Sequence, residues 1–556
     1  MAPVGASPWV RSGPGGSRHL ESAGVRLLPA NTYTADPALR SLLSAWLRRD
    51  VLAWAEPQLE EMGLLAAEEL HRLGDECERQ PAWLRTIEPW GERVDEIVYP
   101  EAWRRLGGIA ARHGLTGLPY EEEAQLAAGP DLRLVHAALC YLFQPQTATY
   151  LCPVAMTDGA ARVLVEFGPE ELRTEVVPHL ISRDPATAWT AGQWMTEVQG
   201  GSDVGAASVE ARCVDGVWRL HGRKYFCSNL GGEVALALAR PEAAGPGTAG
   251  LALFLIPRRL ADGSRNRLRI DRLKDKLGTR AMATGEVTLE GAEARLVGEL
   301  DRGFAQMTWM LNVTRLHNAV ASAATLRRGL HLARGYAAVR TAFGRRLDRL
   351  PLQRQVLMGL AVQAEAALVL TMRLAALLGR VEARTALPEE QVLCRLGSSL
   401  AKLYTARMAV AGASEVVECF GGAGYMEDTG IPRLLRDAQV LPIWEGTTNV
   451  LALDALRVVG SAGVADAFLA ELERLGSPRR DAAAELLSVV AGREQDTARR
   501  WARELAFGLA EAWISGLLAQ AAGRGAREAA VAEAWESGCR PDVGSEDRFE
   551  LLVDGA

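Results

Sequence analysis

Lysine is almost missing from this sequence. It stands only at positions 224, 274, 276 and 402, so 58 of the 62 basic residues are arginine, a skew that points to a GC-rich coding sequence rather than to a function. A positive excess is missing too. The 69 acidic residues outnumber the basic ones and leave a formal charge of -7, which excludes a global field for nucleic acid or anionic lipid. The eight cysteines (77, 140, 152, 213, 227, 394, 419 and 539) contain no CxxC pair. Neither a disulfide framework nor a zinc pattern follows, and reduced thiols in a cytoplasmic protein are expected. The eight histidines are dispersed, so no metal site is read. No membrane span is expected either. Residues 135–157, "VHAALCYLFQPQTATYLCPVAMT", lack Asp, Glu, Lys and Arg, but their prolines, glutamines and threonines read as core. Residues 1–28 read as a disordered terminus, because the two arginines in the first twenty residues come without an amphipathic helix.

A chain of 556 residues exceeds one hydrophobic core, so two to four domains are expected. From Asp36-Pro37 onward apolar residues recur at three- and four-residue spacing, and Asp before Pro is a helix start. This texture predicts a helical domain over 29–185. It then changes to alternation, as in "VDGVWRLHGRKYFCSN", with Asp215-Gly216 as a hairpin turn, which predicts a β domain over 186–300. The helical period returns in a bundle over 301–458, followed by a helical extension over 459–556 with an acidic tail. The fold class is α+β, mainly α. No repeat of fixed period is present.

One charge stands out. Between Asp437 and Asp454, "AQVLPIWEGTTNVLAL" carries only Glu445. A lone carboxylate in an apolar segment is costly unless paired, hydrogen-bonded or neutral. Four other stretches have the residue types of a ligand site. "GQWMTEVQGGSDVG" (192–205) offers hydroxyls and a Gly pair, which let backbone amides approach a phosphate or a heteroaromatic edge. "KYFCSN" (224–229) offers an aromatic and a hydroxyl at a strand end. "RTAFGRR" (340–346) and "ECFGGAGYMED" (418–428) set Arg and a Gly pair where a pyrophosphate could bind. Each alone reads as a surface turn or a helix cap.

Together and in this order, these stretches resemble the acyl-CoA dehydrogenase family of flavoproteins, over about 190 to 455. "LCPVAMT", "MTEVQGGSDV", "LKDKLG", "IWEGTTNV" and the extension of about a hundred residues are most similar to its AidB-like branch. The resemblance implies the family fold: a helical domain, a β domain and a helical bundle, with FAD held between them and across a subunit interface of a homotetramer. Met195 and Thr196 would contact the flavin pyrimidine edge, with Gly201 and Ser202 at the pyrophosphate. Phe226 would pack on the ring and Ser228 would bond near N5. Arg340, Phe343, Gly421 and Gly422 would serve a neighbour's FAD, and Thr447 and Asn449 would flank the cofactor. Glu445 falls on the family's catalytic base, which removes the α-proton of an acyl-CoA while hydride leaves Cβ for the flavin. A poorly hydrated carboxylate is the stronger base. The other base position used in the family falls on Thr314, which cannot serve, and Arg315 beside it would stand near substrate or base. An electron-transfer flavoprotein would be the electron acceptor.

Two other functions compete. The AidB-like resemblance allows a DNA-associated flavoprotein protecting against alkylation. Residues 451–556 hold 12 Arg, no Lys and 18 acids, a balance of 12 − 18 = −6, which weighs against DNA. A non-catalytic acyl-CoA binder is the third reading, and an intact Glu445 argues against it.

Overall fold

The computed structural model describes residues 27–539 and 546–554. Most of the terminus expected to be disordered, residues 1–26, lies outside that range.

The first helical domain opens at α1 (Pro37–Trp46), where the Asp36 carboxylate accepts the Leu39 amide at 3.1 Å. The same carboxylate accepts the Tyr141 hydroxyl (2.9 Å) and pairs with Arg327 (3.1 Å), so this cap also ties the domain to the later bundle. α2 (Arg49–Ala67), α3 (Glu69–Arg79), α4 (Glu101–Arg112), α5 (Leu132–Phe143) and α6 (Leu151–Phe167) follow. Every residue of α5 is buried, so the uncharged stretch that begins in it is core. The uniform helical texture expected here is interrupted by a hairpin, β1 (Trp83–Ile87) and β2 (Arg93–Val98). Its physical reason is the Pro89-Trp90-Gly91 turn, in which Gly91 has φ 90°, between short alternating runs.

The β domain is a closed ring. β3 (Ala191–Trp194) lies parallel on β6 (Val234–Pro241). β6 pairs with β4 (Glu210–Val214), β4 with β5 (Val217–Ser228), β5 with β9 (Thr284–Val297), β9 with β7 (Ala252–Pro257), and β7 returns to β6. β8 (Leu268–Leu273) adds to β9. The period of two is plain in β6. Ala235, Ala237 and Ala239 face the ring interior with Leu220, Phe254 and Val287. Val234, Leu236 and Leu238 face outward onto Val163 and Leu164 of α6. Both faces are covered, so residues 234–239 of the strand are apolar without a break.

The bundle consists of α7 (Gly303–Val339), α8 (Pro351–Glu382), α9 (Pro388–Cys419), α10 (Ile431–Ala438) and α11 (Thr448–Val459). Between α7 and α8 a two-residue hairpin, β10 (Thr341–Ala342) with β11 (Arg345–Arg346), turns through Phe343 and Gly344, both with positive φ. The extension, α12 (Val464–Arg474), α13 (Arg480–Val490), α14 (Gln495–Ala522) and α15 (Ala526–Glu536), docks on the bundle. The ion pairs Arg527–Glu365 and Arg373–Glu471 fasten it there, and the Trp513–Phe468 edge contact holds α14 against α12 within it. α8 and α14 are long and apolar enough to cross a membrane, but 83% and 67% of their most apolar windows are buried inside the protein, as in core helices.

Candidate active site

The turn before α11 carries the lone glutamate in an unusual conformation. Glu445 has φ 57° and Gly446 φ 104°, and Thr447 then begins α11 as an extended cap. A non-glycine residue in the left-handed region is strained and persists only when its surroundings hold it. Three bundle residues do so. Thr314 Oγ1 donates to Glu445 Oε2 (2.8 Å), Arg315 Nε to the Glu445 carbonyl (3.3 Å), and Lys402 Nζ to the Gly446 carbonyl (2.6 Å). From the β domain, Gln193 Nε2 reaches the same carboxylate oxygen at 3.5 Å.

Behind the turn, Arg315 Nη1 pairs with Asp454 of α11 (3.3 Å), which also meets Arg395 (2.6 Å), Arg457 (2.7 Å) and Ser399 (2.6 Å). Burial would raise the Asp454 carboxyl. The bond and charge of Arg395, then the charge of Arg315, overcome this and hold it well below the usual carboxylate range. Burial pushes the Lys402 ammonium down to about 7, against the pull of the Glu445 charge. Burial, with the Glu445 charge adding to it, pushes the Cys152 thiol on α6 up to about 12.

The β-domain wall is built from strand ends. Gln193 Nε2 also lies 3.3 Å from Met195 Sδ, and the Thr196 carbonyl accepts the Tyr225 amide (2.9 Å). Lys224, fully buried, pairs with Glu197 (2.8 Å) and donates to the carbonyls of Leu238 (2.7 Å) and Met195 (3.4 Å). Ser228 Oγ lies 3.3 Å from Thr284 Oγ1, which also receives Lys276 Nζ (3.1 Å). Burial pushes Lys276 down to about 8. Lys274 sits 3.4 Å over the Tyr225 ring and 4.8 Å from the centre of Phe226, whose side is 51% exposed. All four lysines of the chain therefore stand in this wall or behind the Glu445 turn.

Of the residues singled out in the sequence, Met195 and Arg315 join Glu445 through direct contacts and Gln193. Thr196, Phe226 and Ser228 stand on the strand-end wall. Gly201 and Ser202 lie on an exposed loop beside Thr196. Arg340, Phe343, Gly421 and Gly422 are not brought to Glu445. They are exposed, Phe343 at 95%, on the β10–β11 tip and the turn after α9. Thr447 and Asn449 are exposed on the far side of the turn, where Arg503 of the extension donates to Asn449 Oδ1 (3.3 Å). Arg315, expected near substrate or base, is buried and grips the back of the turn. The apolar enclosure expected of this segment is incomplete, since Glu445 is half-buried and Ile443 is 60% exposed. Sequence reasoning missed Gln193, Lys224, Lys402 and Asp454; the rarity of lysine was a signal for two of them.

The residues present fit a flavin. An aromatic face, a hydroxyl at a strand end and an exposed glycine loop line one wall. Gln193 Oε1 and Trp444 Nε1, on either side of Glu445 and among the described residues, are buried without a hydrogen-bond partner, as donors and acceptors awaiting a ligand edge would be.

Comparison with known proteins agrees with this geometry. The chain matches the AidB N-terminal domain of the adaptive response protein over 25–185, the acyl-CoA dehydrogenase middle domain over 192–292, and the C-terminal domain of the same family over 301–460. It is 42% identical to acyl-CoA dehydrogenase family member 11 of Caenorhabditis elegans, over 80% of this chain and 73% of that protein. It is 34% identical to AidB of Escherichia coli (strain K12), over 80% of each. The solved structure of C. elegans ACDH-11 in complex with C11-CoA superposes with a TM-score of 0.85 at 35% identity, covering 100% of this chain and 93% of that one. The chain belongs to the acyl-CoA dehydrogenase family of FAD-dependent oxidoreductases, in its AidB-like branch.

Proposed function

We propose that this protein oxidises the Cα–Cβ bond of an acyl-CoA thioester, with Glu445 as the base that takes the α-proton. The observation that carries this is the strained Glu445 turn. Thr314 and Gln193 aim its carboxylate, Arg315 and Lys402 fix its backbone, and the flavin-compatible wall stands beside it. Bound FAD supplies the hydride acceptor. The chain itself positions the base, orients the thioester and holds the proton on Glu445. Since ACDH-11 was solved with C11-CoA, an acyl chain of that class is our first choice of substrate. A homotetramer and an electron-transfer flavoprotein as acceptor belong to the same proposal. The DNA-associated reading is disfavoured by the extension, where Arg474, Arg479, Arg480, Arg499, Arg527 and Arg548 are engaged with carboxylates rather than free for phosphates.

The test is anaerobic bleaching of the bound flavin by acyl-CoAs of graded length and branching. The wild type is expected to bleach with at least one of them. Glu445→Gln is expected to slow that step by about 10²–10⁴-fold, the contribution of a positioned base. Equal rates for the two proteins would remove Glu445 as base.

A further inference from the structure

Lys402 is a buried cation with no carboxylate at salt-bridge distance among the described residues. It lies on α9, 0% exposed, and its hydrogen bond goes to the Gly446 carbonyl at 2.6 Å. A buried ammonium bonded only to a carbonyl is costly, and a neutral donor would satisfy that carbonyl at lower cost. The arrangement makes sense only with its neighbour. The next residue back in the turn is Glu445, whose charge acts on Lys402. Two successive carbonyls of a left-handed turn are thus gripped by two cations from different helices, Arg315 of α7 and Lys402 of α9. Arg315 is already balanced by Asp454, so Glu445 is the acid left to balance Lys402.

We infer that Lys402 is a positioning residue for the base, fixing the Glu445–Gly446 turn and coupling its own charge to that of the carboxylate. The inference rests on Glu445 as the base. Charged or neutral, Lys402 still donates to the Gly446 carbonyl, and only when protonated does it place a positive charge beside the Glu445 carboxylate. The groups around them are Arg315 on α7, Asp454 on α11, Arg395 on α9 and Cys152 on α6; Arg395 and Arg315 outweigh burial to keep Asp454 ionised, while burial keeps the Cys152 thiol protonated.

The experiment uses FAD-loaded wild type, Lys402→Met, Lys402→Gln and Glu445→Gln. Three quantities are measured from pH 5.5 to 9.5: the single-turnover rate of flavin bleaching by the best acyl-CoA, the dissociation constant of its unreactive thioether analogue, and the melting temperature. Lys402→Met is expected to bleach at least 10-fold more slowly at pH 8 with analogue binding within 2-fold of wild type. Lys402→Gln, which can still donate, is expected to regain most of the rate but to lack the inflection near pH 7 expected of the wild type. Lys402 has its folded pKa below that of the unfolded chain, so wild-type stability rises with pH from about 7 upward, and both variants are expected to lose that rise. A wild-type rate and pH profile in Lys402→Met, with Glu445→Gln inactive, overturns the role of Lys402 alone. Equal losses in both Lys402 variants with the inflection retained overturn it too, since packing then suffices. Bleaching by Glu445→Gln at the wild-type rate overturns the base and the inference together, while the melting profiles still report the charge of Lys402.

Discussion

Lys224→Met should destabilise the protein sharply, and a second substitution should partly repair it. Lys224 Nζ meets Glu197 at 2.8 Å, and both side chains are at most 1% exposed. Glu197 also accepts from the Ser208 amide (2.6 Å), the Ser208 hydroxyl (2.9 Å) and the Val209 amide (3.2 Å). Burial alone would raise the Glu197 carboxyl, but the charge and bond of Lys224, with the Ser208 amide, bring it down to about 2. Burial also pulls Lys224 below the usual lysine range, despite Glu197. The carboxylate side of the pair is thus favoured and the ammonium side is not. The net value of the pair is small, while orphaning one partner is costly. Removing Lys224 leaves a buried carboxylate, at about 3–5 kcal/mol. Adding Glu197→Gln keeps the acceptor for Ser208 and Val209 but removes the orphaned charge, and should recover about 2 kcal/mol. The depressed Glu197 pKa carries its own sign. Its stabilisation is fully present above the unfolded value near 4.5 and is lost as pH falls toward 2. At about 1.4 kcal/mol per unit this is at most about 3.5 kcal/mol, less what the Lys224 side offsets. The assay is a denaturant-unfolding cycle of wild type, both single variants and the double variant at pH 8 and pH 4, with and without added FAD. Strict additivity at pH 8 would refute the reasoning. If the pair holds Met195 in place, FAD should also leave Lys224→Met more readily than the double variant.

Two further outcomes follow from the same structure. Asp158→Asn should lower stability by about 3–5 kcal/mol, because Asp158 is the fully buried partner of Arg133 (2.5 Å) and also receives His317 (2.8 Å) and the Tyr120 hydroxyl (2.7 Å); an unchanged thermal transition would sink this. Phe343→Ala should leave circular dichroism unchanged, since the ring is 95% exposed on a hairpin tip, yet release flavin faster and weaken assembly in light scattering. Flavin retention equal to wild type would remove Phe343 from a neighbour's cofactor site.

The order of helical and strand texture was legible because period alone distinguishes Arg219 and His221 alternating with Trp218 and Leu220 from the three- and four-residue recurrence of α7. The closure of the strands was not. It depends on β4 meeting β6 and β7 meeting β9, pairings between residues such as Glu210 and Arg240 that no local pattern announces. The small β1–β2 hairpin was hidden for the opposite reason, being too short to outweigh the helices around it. Glu445 was visible as a charge in an uncharged segment. Gln193, Asp454 and Lys402 were not, because their meaning lies in partners 252, 139 and 44 residues away. The exposure of Arg340, Phe343, Gly421 and Gly422 likewise follows from which face each turn presents, and sequence spacing does not state that.

The placement of the lysines has a practical consequence for chemistry done on the protein. A coding sequence that drifts toward arginine leaves lysine where a broad planar guanidinium cannot replace a compact ammonium. Lys224 and Lys402 are sealed, while Lys274 and Lys276 stand partly open beside Phe226 and Thr284. An amine-directed reagent therefore finds no lysine side chain on the outer surface to consume it. Carbamylation or reductive methylation would report on Lys274 and Lys276 in the strand-end wall, and each of the two signals could be assigned by a single substitution.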